Sequence, residues 1–506
     1  MLAKLHSLTL LGLVGELVEI EVDIHGGLPR FSIVGLGDAA VQESKERVKS
    51  AIKNSGFAFP NKHIVVNLAP ANVKKYGPRF DVAIALGILH ASGEVALPKN
   101  ILKKMFVGEL GFSGEIRPVT GVLPIANYAA KNNFDAIFVP QENASESALI
   151  KEIETFGVKN LKELVEHLTF GDQIEPTPYS WETLERVDDS DFDMSHIKGN
   201  EHGKRALEIA AAGGHNMLMS GPPGSGKTML AKALSTILPR LSVEEALEIT
   251  QIYSIAGLTN AQSAVSLVRP FRSIHHTASG VAIIGGGNPP KPGEISLSHR
   301  GVLFLDEFPE FPQKTLEVLR QPLEDGVVTV SRASGSYVFP AQMMLIAAMN
   351  PTPSGYDSDD DRCTSTPAEI LRYQNKISGP ILDRIDLHIQ VPNIPFEKLA
   401  QMDVGESSAS VRSRVENARD LQIKRFKKIG IRTNSEMSSA VVKKICQLNT
   451  DGQMLLNAAV EKMNLSGRGY YRILKLARTI ADLEESEDIE MNHVAEAIQY
   501  RERKKQ

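Results

Sequence analysis

The chain has 506 residues, enough for about three domains, and its 23% charged and 42% hydrophobic residues are ordinary for a globular protein. A net charge of −5 excludes a global basic field, so any contact with nucleic acid must come from local patches. No run of 18 apolar residues spans a bilayer, the first residues lack the pattern of a secretory leader, and two cysteines exclude a disulfide framework, which together point to a reducing, cytoplasmic setting.

Residues 1–170 read as one α/β domain. The stretch 18–24 alternates apolar and acidic side chains with period two, the pattern of a half-buried strand. Positions 41–54 have helical composition with Gly56 as the stop, and 63–68 form another strand. The run 80–89 is too apolar for an exposed helix and belongs in the core. A turn into a strand follows at 114–119 and a late strand at 136–140. Residues 171–195 carry Pro176, Pro178 and then Asp188, Asp189 and Asp191, a linker composition. The segment 197–201 leads into a helix over 203–212.

Gly221-Pro222-Pro223-Gly224-Ser225-Gly226-Lys227-Thr228 fits the spacing of a phosphate-cradling loop. An apolar strand over 216–220 precedes it, and a helix follows that sets a positive end under the phosphates. Backbone N–H groups wrap the phosphates, Lys227 reaches the β and γ oxygens, and the Thr228 hydroxyl ligates Mg²⁺. Further on, the apolar run 302–305 ends in Asp306-Glu307, a buried strand with carboxylates at the edge where open α/β sheets hold ligands. Asp306 would hold Mg²⁺, directly or through water, and Glu307 would polarise the attacking water. A third buried strand ends in Asn350, which either bonds the lytic water or γ-phosphate or serves as a turn residue before Pro351.

Between these motifs lie two insertions. Residues 327–332 and 336–339 flank Ala333-Ser334-Gly335 as a β-hairpin with Arg332 near its tip. His275 and His276 precede a glycine- and proline-rich stretch. Neighbouring histidines rarely share one ion, and no nearby acidic or cysteine cluster completes a tetrahedron, so a loop-positioning role is expected. The segment 277–295 reads as flexible, a candidate pore loop. Asp383 and Asp386 flank Arg384, which by itself reads as a local salt bridge.

Residues 396–506 are helical in pattern. Tyr470, Ile473, Leu474, Ala477, Ile480 and Ala481 form one apolar face, with a cap supplied by Asn464-Leu465-Ser466. Arg468 falls in the first turn, where the helix dipole disfavours a cation, and so points to an external anion. Arg472 is the alternative, and ordinary surface charge a third reading. The ending from Arg501 is a basic, frayed tail.

These motor motifs, with Val66-Asn67-Leu68-Ala69-Pro70, Gly77-Pro78-Arg79-Phe80-Asp81 and Gly114-Glu115-Ile116-Arg117-Pro118-Val119, resemble the ComM/YifB family of Mg-chelatase-like AAA+ ATPases over nearly the whole chain. The resemblance implies a P-loop AAA+ core with a parallel sheet at 196–395 and a helical lid at 396–506. It also implies a separate N-terminal α/β Lon-protease-like domain at 1–170, joined through the linker. A Lon-type protease needs a serine where this chain has Arg79 and a lysine near Ile125. Neither half of the dyad is present, so a scaffold or partner-binding module is expected rather than a protease.

For the motor, the resemblance implies ATP and Mg²⁺, Ile197 and Gly199 beside the adenine, and Asn350 as sensor 1. It makes Arg384 a finger offered to the neighbouring subunit's γ-phosphate, and Arg468 the sensor 2 residue, in cis or in trans. A finger implies a ring, since a heterologous contact must close or become a filament; a hexamer is the family expectation. The substrate implied is single-stranded or branched DNA, moved as a helicase in branch migration during recombination or natural transformation, with Arg332 a DNA-contact candidate. The alternative is a remodeller or chelatase-like assembly factor acting on a protein partner. A scaffold with negligible turnover is a third reading, which Glu307 and Arg384 speak against. Family members often carry paired cysteines where this chain reads Thr352-Pro353-Ser354 and Cys363-Thr364-Ser365. One thiol is left, so no zinc knuckle is expected.

Overall fold

A computed structural model describes residues 2–171, 174–179, 181, 192–259, 265–332, 335–394 and 405–501. Residues 172, 173, 180 and 182–191 of the expected linker, the hairpin tip Ala333-Ser334, the first lid positions up to 404 and the tail from 502 lie outside the described residues.

The N-terminal unit is built on two long strands, Leu2–Leu11 and Val14–His25, paired antiparallel from Leu2↔Asp23 to Leu11↔Val14. Their period-two pattern buries Val18, Ile20, Val22 and Ile24 on one face and leaves Glu19 and Glu21 on the other. They sit in a seven-stranded mixed sheet. Its order is Arg30–Val34, His63–Ala69, Val14–His25, Leu2–Leu11, Lys104–Phe106, Ala136–Pro140, Glu154–Val158. The apolar run at 80–89 is the helix Asp81–Ser92, buried on nearly every side, as its composition demands.

The second sheet is wholly parallel, in the order Phe271–Ile274, Val302–Leu305, Met344–Met349, Met217–Ser220, Leu387–Gln390. Every residue of Val302–Leu305 and of Met344–Met349 is buried, the continuous apolar reading of strands covered on both faces. One core unites this sheet, the helices Glu201–Gly213 and Lys227–Ile237, and the C-terminal helices Ser408–Phe426, Gly467–Leu483 and Met491–Gln499. Ser466 caps Gly467–Leu483 by accepting from Gly469 N–H, and Ile473, Leu474, Ala477, Ile480 and Ala481 are buried beneath it. Ion pairs from Arg414 to Glu208 (2.6 Å) and from Arg205 to Glu496 (2.9 Å) fasten these helices to Glu201–Gly213.

The N-terminal unit docks on this body. Gly121 N–H donates to Ser254 O at 3.1 Å, and Thr259 Oγ1 donates to Glu146 Oε2 at 3.3 Å. Leu247 packs against the same buried cluster of the N-terminal unit as Leu10, Leu17 and Tyr128. The hairpin is present as Val327–Arg332 paired with Gly335–Pro340.

The segment 277–295 departs from the flexible loop expected of it. It holds the helix Gly280–Ile284, the paired strands Gly285–Gly286 and Lys291–Pro292, and the helix Glu294–Leu297. A Cβ on Gly293 would come within 2.3 Å of Gly285 N, so the glycines that read as loop composition are there to let two backbones cross. Arg272 clamps the base, its Nε and Nη2 donating to Glu294 at 2.6 and 2.8 Å. Among the described residues, no helix is long and apolar enough to cross a membrane.

Candidate nucleotide site

The strand Met217–Ser220 runs between Met344–Met349 and Leu387–Gln390 and delivers the chain into the loop 221–226. Gly224 and Gly226 have φ of 78° and 89°, the left-handed region that favours glycine. Gly221 serves a close approach instead: a Cβ there would lie 2.2 Å from Val391 O. The helix Lys227–Ile237 starts from Gly226 with no side-chain cap, so its first N–H groups are left for an anion.

Lys227 Nζ donates to Gly221 O at 2.7 Å, Pro222 O at 2.9 Å and Asn350 Oδ1 at 3.4 Å. Burial holds its pKa below the ordinary lysine value, with Asp306 opposing that shift. Thr228 Oγ1 donates to Asp306 Oδ2 at 3.1 Å. Beside the loop, a cleft of about 440 Å³ is walled by His196, Ile197, Met229, Asn393 and Ile394. Ile197 therefore stands in the expected wall. Gly199 is not part of the cleft lining; it turns the chain next to it with φ 66°. His196, Asn393 and Ile394 were not legible beforehand.

The carboxylates of Asp306 and Glu307 diverge. Asp306 faces the loop and accepts Glu307 N–H at 2.9 Å, while Glu307, at φ 52°, turns its exposed carboxylate toward His276. There its Oε2 lies 2.8 Å from His276 Nδ1. The expectation that no nearby acidic or cysteine cluster completes a tetrahedron with the histidine pair is corrected in that one carboxylate, Glu307, stands beside it. Phe271–Ile274 and Val302–Leu305 are parallel neighbours with Ile274 opposite Leu305, so the residues two further on meet.

Arg384 is buried beside the start of Leu387–Gln390, at the end of the strands away from the phosphate loop. Its carbonyl accepts from Asn216 Nδ2 at 3.2 Å, and Asn216 enters the strand whose far end carries the phosphate loop. Its guanidinium donates to Pro380 O at 2.7 Å and to the Glu324 carboxylate. Arg468 Nη2 donates to the same carboxylate at 3.1 Å. The local pairing anticipated with Asp383 or Asp386 goes instead to Glu324, because Asp386 is taken by Arg472 and His215. Arg332 is exposed at the end of the hairpin, its Nη2 lying over Gly286 of the neighbouring insertion.

Comparison with known proteins matches this arrangement along its length. The family model described as "Magnesium chelatase, subunit ChlI" matches residues 193–399, "Subunit ChlI of Mg-chelatase" matches 20–143, and "Magnesium chelatase, subunit ChlI C-terminal" matches 405–501. The chain is 43% identical to the competence protein ComM of Haemophilus influenzae over 99% of its own length and 97% of that protein's. It is 43% and 42% identical to the uncharacterized proteins YifB of Salmonella typhimurium and Escherichia coli, with the same coverage. The chain belongs to the ComM/YifB family of Mg-chelatase-like AAA+ proteins.

For a ComM/YifB protein the residues fit a triphosphate and its metal. Ser225 Oγ is buried at the loop without a hydrogen-bond partner, and Lys227 is satisfied only by carbonyl and amide oxygens, which a phosphate would replace. Thr228 and Asp306 already face each other across the gap that a hard cation takes. In the N-terminal unit Ile125 is fully buried.

Proposed function

We propose that this ComM/YifB protein hydrolyses ATP at sites shared between neighbouring subunits of a cytoplasmic ring, a hexamer, and uses the cycle to move single-stranded or branched DNA. The observation that carries this reading is the separation of Arg384 and Lys227. They lie at opposite ends of one strand layer, roughly 13 Å for a four-residue strand. Arg384 and its companion Arg468 therefore cannot serve their own loop and are suited to a phosphate brought by another subunit. A head-to-tail contact either closes into a ring or runs on as a filament, and the ring is the form proposed here.

Within a subunit, the adenine would lie against Ile197 and beside Gly199, and the phosphates on Gly221, Pro222, Pro223, Gly224, Ser225 and Gly226. Lys227 would bind the β and γ oxygens, Asn350 would align the attacking water, and Glu307 would accept its proton. Mg²⁺, on Thr228 and Asp306, would neutralise charge on the β- and γ-phosphates.

DNA is supported by kinship with a protein named for competence and by exposed Arg332 standing over the neighbouring insertion. The test is ATP turnover with single-stranded and with branched DNA from low to moderate salt. Stimulation that weakens as salt rises is expected. No binding and no stimulation at any salt would transfer the motor to a protein substrate, with the N-terminal unit as the docking module.

A further inference from the structure

We propose that His275, His276 and Glu307 form a binding site for a divalent transition metal such as Zn²⁺, and that the ion inhibits the ATPase by capturing Glu307. One ligand atom from each residue lies within 4.8 Å of the others. His276 Nδ1 and Glu307 Oε2 are already 2.8 Å apart, less than the roughly 3.4 Å between ligands on a tetrahedral ion with bonds of about 2.1 Å.

Adjacent residues on a strand point to opposite faces, which is why two neighbouring histidines are a poor metal signal. Here the strand has ended at Ile274. His275 O accepts Ala278 N–H in a turn at 3.0 Å, and the two rings lie side by side, tilted by 36°, with centroids 4.1 Å apart. Both imidazoles therefore approach Glu307 from one side.

A second observation points to a missing ligand. His276 Nδ1 is buried without a hydrogen bond, its approach to Glu307 being off the line a hydrogen bond needs. An imidazole nitrogen coordinates along its lone pair and would be satisfied by an ion between the two groups. Two imidazoles and one carboxylate with an open fourth position suit Zn²⁺, Co²⁺, Ni²⁺ or Cu²⁺. The Thr228–Asp306 pair, with oxygen ligands only, suits Mg²⁺. The two sites thus select different metals although Asp306 and Glu307 are consecutive.

Binding stands on this geometry, whereas inhibition rests on the role proposed for Glu307. The experiment uses the full chain, Zn²⁺ as probe and Mg²⁺ in excess. Competition with a chromophoric zinc indicator, without nucleotide, should give one tight ion per chain. Both His275→Ala and Glu307→Gln should weaken it at least tenfold. In parallel, Zn²⁺ should abolish ATP turnover of the wild-type protein and a chelator restore it. His275→Ala should match wild-type turnover without zinc and need at least tenfold more zinc for inhibition. Undiminished zinc affinity in the two variants would overturn the site. Zinc bound there with turnover retained would overturn the inhibition, and if Glu307→Gln also turns over normally the fault lies with the role given to Glu307.

Discussion

Lys227 Nζ donates to Asn350 Oδ1 at 3.4 Å, joining the phosphate loop to the end of the adjacent strand Met344–Met349. The two residues are expected to fail differently when removed. Lys227→Ala deletes a charge-assisted contact to phosphate, worth about 1.5–3 kcal/mol, so ATP affinity should fall roughly 10- to 150-fold. Asn350→Ala should leave affinity within a few-fold and lower kcat. Binding of a fluorescent ATP analogue alongside steady-state turnover separates the two, and equal losses of affinity in both variants would contradict the assignment.

Glu307→Gln keeps the size of the side chain and removes its basicity. Because Glu307 is exposed and its carboxylate lies beside His276, nucleotide binding should change little. Removing a general base costs about 10²–10⁴ in rate. Single-turnover hydrolysis with saturating ATP reads this directly, and wild-type turnover by the variant would remove Glu307 from the reaction.

Arg384 and Lys227, at opposite ends of neighbouring strands, should complement each other between subunits. Arg384→Ala alone should lose about 10³–10⁵ in kcat if it is the finger. Mixing it with Lys227→Ala subunits creates junctions in which a wild-type loop faces a wild-type Arg384, so turnover should reappear and peak near equal proportions. No recovery at any ratio would mean that Arg384 acts within its own subunit or only structurally.

The legible parts of this site were those coded by contiguous residues. A buried strand, a glycine turn and a helix start occur within a dozen positions around Lys227, and an apolar run followed directly by two acids marks Asp306 and Glu307. The illegible parts depend on how separate strands are stacked. Glu307 meets His276 only because Ile274 and Leu305 are register partners. Glu324 gathers Arg384 and Arg468 although it lies far from both in the chain. Asn393 and Ile394 line the cleft because Leu387–Gln390 runs beside the loop strand. The helix Gly280–Ile284 was masked by glycines required for a backbone crossing that composition alone reads as a loop.

The two thiols should be told apart by reactivity. Burial pushes the Cys446 thiol up to about 12, so almost no thiolate is present near neutral pH. Cys363 is half-buried, and Ser354 Oγ donating to its sulfur at 3.4 Å lowers its pKa. A thiol-reactive chromophore should titrate one group in the native protein and two in denaturant. Two fast groups in the native state would contradict the packing around Cys446.

His388 gives a pH dependence whose sign is fixed by burial. Desolvation, reinforced by repulsion from Arg501 and Arg472 and opposed by Asp386, lowers its pKa from 6.5 to about 3. Between these values the unfolded chain binds a proton that the folded chain does not, so stability is full above 6.5 and declines as the pH falls below it. At pH 5 the loss from this residue is about 2 kcal/mol as an upper bound, since the ring is not wholly enclosed. Carboxylates with lowered values, such as Glu248 at about 2, remain ionised in both states near pH 6 and contribute little there. His299, also lowered by burial, adds a slope of the same sign. His388→Gln should therefore flatten, but not abolish, the decline in urea midpoint between pH 7 and pH 5. An identical decline in wild type and variant would show that His388 is protonated in the folded protein.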